Sequence, residues 1–417
     1  MSKFNLWRPV WAILLTAACV AAPATPAAPT AVPSLPPPKV STATPAAPAP
    51  ATVTPAPAAT ELPPATPSPA PSPTAAVLNP LTGLALADAA LLQRRPLAIK
   101  VAHFPRSVRE HQVGLSGADN VWEHYAEGGV TRFTAIFFGQ GPEKVGNVRS
   151  ARLIDAILGD AYQAVLVASG SSTGTMNRLR ENDDLYPRIV AEATGYAECP
   201  LLCREESAAL TTNKLFTAPT ELWRLAEAKG FGPATGLTGY AFGAAVPPAG
   251  TPLTTVHLDF QLNNTVAEWR YDAASGLYAR WIDTAQLPTL AAHVDTLNGQ
   301  ALTAANVVVL YVTHVSSNIR ETEGGTRYFS YDVQMTGEGL AYVFRDGQYW
   351  EVRWQRADAP HTLPRLVDAA GAPLPLKPGV TWFEVLSTTS PTQIDAAAGL
   401  FQARFKAPNP FPATPSP

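Results

Sequence analysis

Apolar and polar positions divide the chain into stretches of different texture. A short apolar run, Pro9-Val10-Trp11-Ala12-Ile13-Leu14-Leu15, follows Lys3 and Arg8 and gives way to Thr16-Ala17-Ala18 and then Cys19. Residues 20–75 lose all periodicity, and patterned runs return from about residue 76. The continuous apolar run Leu97-Ala98-Ile99-Lys100-Val101 predicts a strand. Residues 120–126 and 131–138 predict a hairpin turning at Glu127-Gly128-Gly129. Ile154, Ile157, Leu158 and Ala161 recur at helical spacing, which predicts a helix over 151–161 capped by Ser150. A further strand at 164–168 runs into a Gly/Ser loop and a short helix. This alternation predicts a mixed α/β domain over residues 76–245.

Ala-Val-Pro-Pro-Ala-Gly-Thr-Pro interrupts the pattern near 244–252, a composition suited to a boundary. Strand signals dominate afterwards, at 256–261, 267–272 paired with 278–283, 306–315 and 328–335. The clearest hairpin runs from Ala341-Tyr342-Val343-Phe344 through Asp346-Gly347 into Tyr349-Trp350-Glu351-Val352, because Asp-Gly suits the positive φ angles of a primed turn. These runs predict a mainly antiparallel β domain over 252–390. The expected fold class is therefore α+β, with a Pro-rich disordered tail over 404–417.

The N-terminal order of positive charge, apolar run and small residues is that of a bacterial secretory signal over residues 1–19. The run is shorter than the ~20 apolar residues of a stable transmembrane helix, so removal is expected. Cys19 directly after small residues resembles a lipobox, although Thr16 holds the place usually taken by Leu. Lipidation of Cys19 would anchor the chain to the cell membrane on its outer side, whereas ordinary cleavage near the Ala-Pro-Ala run would release it as a secreted protein. Residues 20–75 are almost wholly Ala, Pro, Thr, Ser and Val, with Lys39 and Glu61 as the only charges. Too little apolar surface is present there to repay ordering, so a disordered stalk is expected. Fully extended at ~3.1 Å per residue, it would reach well over roughly 100 Å.

Two cysteines remain, Cys199 and Cys203, and their closeness in an exported chain predicts a local disulfide. Their spacing is not that of a thioredoxin-type redox pair, and two ligands make a poor zinc site. A formal charge of −3 offers no basic excess for nucleic acid. No metal or cofactor is expected.

Several motifs carry a family likeness. Asn79-Pro80-Leu81-Thr82-Gly83-Leu84, Arg95-Pro96-Leu97-Ala98-Ile99-Lys100, Gly114-Leu115-Ser116-Gly117-Ala118-Asp119, Glu127-Gly128-Gly129-Val130-Thr131-Arg132-Phe133 and Val145-Gly146-Asn147-Val148-Arg149-Ser150-Ala151-Arg152 form one set. Trp269-Arg270-Tyr271-Asp272, Asn306-Val307-Val308-Val309 and Pro378-Gly379-Val380-Thr381-Trp382 form another. Together they resemble the N- and C-terminal domains of the YerB-type family of bacterial lipoproteins. The resemblance spans most of residues 79–388 and implies an envelope protein, with no established activity to carry over. The chain departs from the pattern at His103, where Asn or Asp is expected, and at the Cys199–Cys203 insert, which replaces a region usually leading to a Pro-His-Asn run.

The charged set Lys100, Glu123, Glu127, Arg132, Arg149 and Arg152 is the main candidate site. Glu123 and Glu127 are four apart and would share a face if both lay on one strand. Arginine forks hold phosphate or carboxylate in bidentate geometry. The set suggests either a site for an anionic wall component or an internal ion-pair network fixing the hairpin against the helix. An exported protein is the other partner considered. The expectation is a non-enzymatic binding protein; the rival is a hydrolase or transferase acting on an envelope polymer, with Glu123 or Glu127 as acid or base. Gly170-Ser171-Ser172-Thr173-Gly174 matches a nucleophile-elbow pattern between strand and helix, a match that Gly/Ser-rich loops also reach by chance. His103, His111 and His124 show no metal-binding spacing. The second-half aromatics, including Trp269, Trp281, Trp350, Trp354 and Trp382, suggest core packing, with sugar stacking as the alternative.

Overall fold

The computed structural model describes residues 76–206, 214–260, 265–286, 288–323 and 325–408. The signal segment, Cys19, the stalk and residues 409–417 lie outside them. In chain order the main elements are β1 (Leu97–Ala102), β2 (Asn120–Ala126), β3 (Val130–Phe137), α1 (Ile154–Ala161), β4 (Val165–Val167), α2 (Thr173–Arg180), β5 (Ile189–Val190) and α3 (Pro219–Ala228). There follow β6 (Thr255–Asp259), β7 (Val266–Asp272), β8 (Leu277–Asp283), β9 (Asn306–Glu323), β10 (Thr326–Gln334), β11 (Gly337–Arg345), β12 (Gln348–Arg356), β13 (Arg365–Val367), β14 (Thr381–Ser387), β15 (Thr392–Asp395) and β16 (Leu400–Arg404).

The two halves of the sequence share one 12-stranded sheet, ordered β13-β12-β11-β9-β14-β2-β3-β1-β4-β5 along its main path. The joint is the parallel pairing of β2 with β14, in register from Asn120↔Thr381 to His124↔Val385. Trp122 and Phe383 stack across it with centroids 4.1 Å apart. The described residues from 76 to 408 accordingly lie within one compact unit, and the stretch near 244–252 is a connection inside it. Arg345 fastens that stretch, donating from Nη1 to Gly243 O and from Nη2 to Ala245 O. A second, seven-stranded sheet is built around β8-β7-β6-β16-β15.

The central strands are apolar at consecutive positions because both sheet faces are covered. On one face, Val307, Val309, Trp382 and Phe133 pack against Val256, Leu258, Trp269 and Phe401 of the second sheet, and α3 contributes Leu222. On the other, Val308, Leu310, Phe383 and Trp122 pack against Ile154, Leu158 and Ala161 of α1 and Met176 and Leu179 of α2. The buried tryptophans are thus core; Trp281 is half-buried, with the Arg270 guanidinium 4.0 Å from its ring centroid.

Strands greatly outnumber helices among the described residues, with parallel and antiparallel pairings mixed in both sheets. The mainly antiparallel expectation for the second half is qualified by β14, which lies parallel to β9, and by β16, which lies parallel to β6. Ser150 does not cap α1. The helix begins at Ile154 with Leu153 as N-cap, and the Arg152 N–H is taken instead by Asp155 Oδ2 at 2.6 Å. Of the tail expected over 404–417, Arg404 closes β16 and Phe405 is buried against Tyr125 with ring centroids 4.4 Å apart, so these two residues belong to the fold. Cys199 and Cys203 form the expected local disulfide.

Candidate functional site

The six charged residues singled out from the sequence are distributed over several neighbouring groups of side chains. Lys100, on the helix-facing side of β1, reaches Asp155 of α1 at 2.9 Å and Thr134 Oγ1 at 3.0 Å, and its Nζ contacts His124 Nε2. All four side chains are buried. Burial lowers the Lys100 ammonium to about 8 despite the Asp155 carboxylate beside it. His124 falls well below its usual value, first by burial and then by the Lys100 charge, so it is a neutral acceptor here. For Asp155, burial is the largest single influence and pulls upward, yet the Lys100 charge and the hydrogen bonds from Lys100 and the Arg152 N–H together hold the carboxyl low. Arg132 donates to Ser150 O at 2.9 Å, and the Arg149 N–H donates to Lys100 O at 2.9 Å.

Glu123 faces the space between the two sheets. It pairs with Arg280 of β8 and accepts from Thr131 Oγ1 at 2.6 Å. Directly across the β2–β14 joint stands Glu384, which accepts from Trp269 Nε1 at 2.8 Å. Arg280 also lies 2.7 Å from His293 Nδ1, and His293 Nε2 contacts Gln112. Burial first, and then the neighbouring Glu123 charge, push Glu384 well above its usual range, so this buried pair holds a proton.

Glu127 lies beyond the end of β2, in the turn with Gly128 (φ +83°) and Gly129 (φ +76°), so it does not share a strand face with Glu123. It pairs with Arg152 and accepts from Ser330 Oγ at 2.7 Å. Arg152 also lies 3.5 Å from Glu321 of β9. Glu321 Oε1 accepts from Ser172 Oγ at 2.7 Å and Thr175 Oγ1 at 2.6 Å, and Ser172 caps α2 by accepting the Thr175 N–H at 3.2 Å. The nucleophile-elbow serine is therefore a helix cap tied to a carboxylate.

Above this third group β9 and β10 form a two-stranded ribbon, since from Thr313 onward β9 pairs with β10. The ribbon passes over the Glu127 turn and α2, leaving a groove of about 250 Å³ between Tyr125, Gly128, Arg320, Arg327, Tyr328 and Tyr331. Arg320 and Arg327 are exposed, and among the described residues neither pairs with a carboxylate. The Arg320 guanidinium stands 4.8 Å from the Phe329 ring centroid. Neither arginine belongs to a sequence motif; their proximity to Glu127 depends on the long-range path of β9.

Of the other candidates, His103 is buried 4.7 Å from the Phe133 ring and 5.5 Å from the His293 ring, and His111 ends a 3-10 turn. Asp160, Asp184 and His361 bring donor atoms within 4.8 Å of one another. Arg188 already pairs with Asp184 at 2.6 Å, and Asn182 donates to Asp160 at 3.0 Å, so the group works as a clasp between distant segments.

Residues 81–232 match the model of the N-terminal domain of a protein family of unknown function, DUF3048, and residues 256–383 match the model of its C-terminal domain. The chain belongs to the DUF3048 family. Across most of its length it is similar to a Bacillus subtilis (strain 168) protein named "Putative lipoprotein YerB", with 27% identity over 324 residues, 77% of this chain and 89% of that one. The crystal structure of the B. subtilis YerB protein superposes with a TM-score of 0.60 at 26% identity, covering 74% of this chain and 96% of that one. The YerB likeness read from the motifs is thus met across both parts of the DUF3048 family.

Proposed function

We propose that this DUF3048 protein is a membrane-tethered binding protein of the cell envelope, whose ribbon groove takes an anionic stretch of a wall polymer. Arg320 and Arg327, exposed beside aromatic rings at the groove, carry this reading. The Arg320 guanidinium held over the Phe329 ring keeps its donors outward, and with the exposed Arg327 beside it suits a phosphate or carboxylate repeat. Glu123 and Glu127 favour binding over acid–base chemistry, since each is buried and engaged by an arginine. Lipidation at Cys19 and the stalk over residues 20–75 supply the tether in this reading, which also accords with the name given to the B. subtilis relative.

Calorimetric titration with poly(glycerol phosphate) at low salt tests the groove. The double variant R320Q/R327Q is expected to bind at least about tenfold more weakly, a change of ~1.4 kcal/mol, and added salt is expected to weaken the wild type. Equal affinity of wild type and variant sinks the assignment. Mass spectrometry of the mature N-terminus tests the tether: an acyl-bearing Cys19 is expected, and an unmodified chain starting beyond it removes the anchor.

A further inference from the structure

A cleft of about 520 Å³ lies away from the ribbon groove, between the 3-10 turn Ala89–Gln93 and α3. Its volume falls within the ~300–1,000 Å³ of ordinary small-molecule sites. Trp223 forms one wall, fixed by donation from Nε1 to Arg95 O at 2.9 Å. The Arg94 guanidinium covers that indole, 3.5 Å from its centroid. Phe231 and Ala226 continue the apolar lining.

The charge on these walls is unbalanced. Arg94 donates from Nε to Phe138 O at 2.7 Å, while Arg95 donates to Gly232 O at 2.8 Å and Gln163 O at 2.9 Å. Every one of these acceptors is a neutral carbonyl. Among the described residues neither guanidinium forms an ion pair, Asp119 and Asp184 acting on Arg94 and Arg95 only at longer range, and Arg94 Nη1 and Arg95 Nη2 have no hydrogen bond. Arg224 adds a third cation at the rim, bridged to Glu221, and Glu227 is the one carboxylate lining the space. Both Arg94 and Arg95 are half-buried, and burial disfavours their charge. A half-buried cation bound only to carbonyls carries a desolvation cost that an anion seated beside it would offset.

We propose that this cleft is a second binding site, for a small organic anion carrying a flat or apolar body. The anionic head meets the outward donors of Arg94 and Arg95, and the body lies along Trp223 and Phe231. The site is independent of the ribbon groove in residues and in ligand: it is short and part apolar, whereas the groove is open and suits a chain.

The test is a fluorescence titration of the full-length mature protein with 8-anilinonaphthalene-1-sulfonate, against the uncharged N-phenyl-1-naphthylamine. Saturable one-to-one binding of the sulfonate is expected, with the uncharged probe at least about tenfold weaker. Thr220→Trp fills the cleft from an exposed helix position without disturbing either arginine clamp, and it should abolish binding. Arg224→Gln should weaken binding several-fold. R320Q/R327Q should leave it unchanged. Equal binding of the two probes, undiminished binding in T220W, or loss of binding in R320Q/R327Q would each overturn the proposal. The last result would place the anion in the ribbon groove instead.

Discussion

Replacing Glu384 by Gln separates the two roles of the buried carboxyl pair. Glu384 stands across from Glu123 in the β2–β14 register, fully buried, with its pKa raised first by burial and then by the Glu123 charge. In the unfolded chain it titrates near ~4.3. Because its folded value is higher, this group stabilises the fold fully below the unfolded value, and the contribution is lost as pH rises toward the folded value. Within that window the loss is about 1.4 kcal/mol per pH unit. Glutamine copies the protonated acid, can still accept from Trp269, and does not titrate. Urea unfolding of wild type and E384Q at pH 5 and pH 7 therefore isolates the Glu123–Glu384 pair, since titrations elsewhere are common to both. The wild type should lose stability relative to E384Q over that interval, by at most about 1.4 kcal/mol per pH unit. Parallel pH profiles would refute a protonated Glu384, and with it the proton held between the two strands.

Three further outcomes follow from the group beneath the ribbon. Arg152→Met leaves Glu127 and Glu321 buried without their shared cation, and should cost about 3–5 kcal/mol by urea denaturation; a loss below about 0.5 kcal/mol would show that the arginine is not structural. Ser172→Ala removes the α2 cap and a donor to Glu321, and should cost about 1–2 kcal/mol in the same assay. The wild-type serine should also resist labelling by a fluorophosphonate probe, and stoichiometric labelling would revive a nucleophilic role.

What could be read from the chain is what neighbours in sequence decide. The β11–β12 hairpin was legible because Asp346 (φ +52°) and Gly347 (φ +70°) take the positive angles that a primed turn requires. The β2–β3 hairpin was legible from its apolar runs and its Gly-Gly turn. Glu123, Glu127, Lys100 and Arg152 are indeed buried, charged and paired, but their partners Arg280, Asp155 and Glu321 sit on elements whose placement no local pattern records. Glu384 is the plainest case. It reads as one acid in an apolar strand, and its meaning comes from a parallel neighbour about 260 residues earlier. Arg94 and Arg95 posed the reverse problem, since an Arg-Arg pair before a strand gives no sign that both will be spent on carbonyls around a cleft.

The joint between β2 and β14 also governs the order in which the molecule can be finished. A chain that emerges N-terminus first exposes the outer edge of β2, a row of unsatisfied backbone donors and acceptors in the middle of the eventual sheet. Its proper partner is made only after some 250 further residues. Until then the first part is an open template to which any extended segment can attach, and closing so distant a contact is slow. A stop codon or proteolytic cut before residue 381 would thus yield a sticky fragment rather than a smaller working protein, so the natural unit for expression or domain exchange runs through β14.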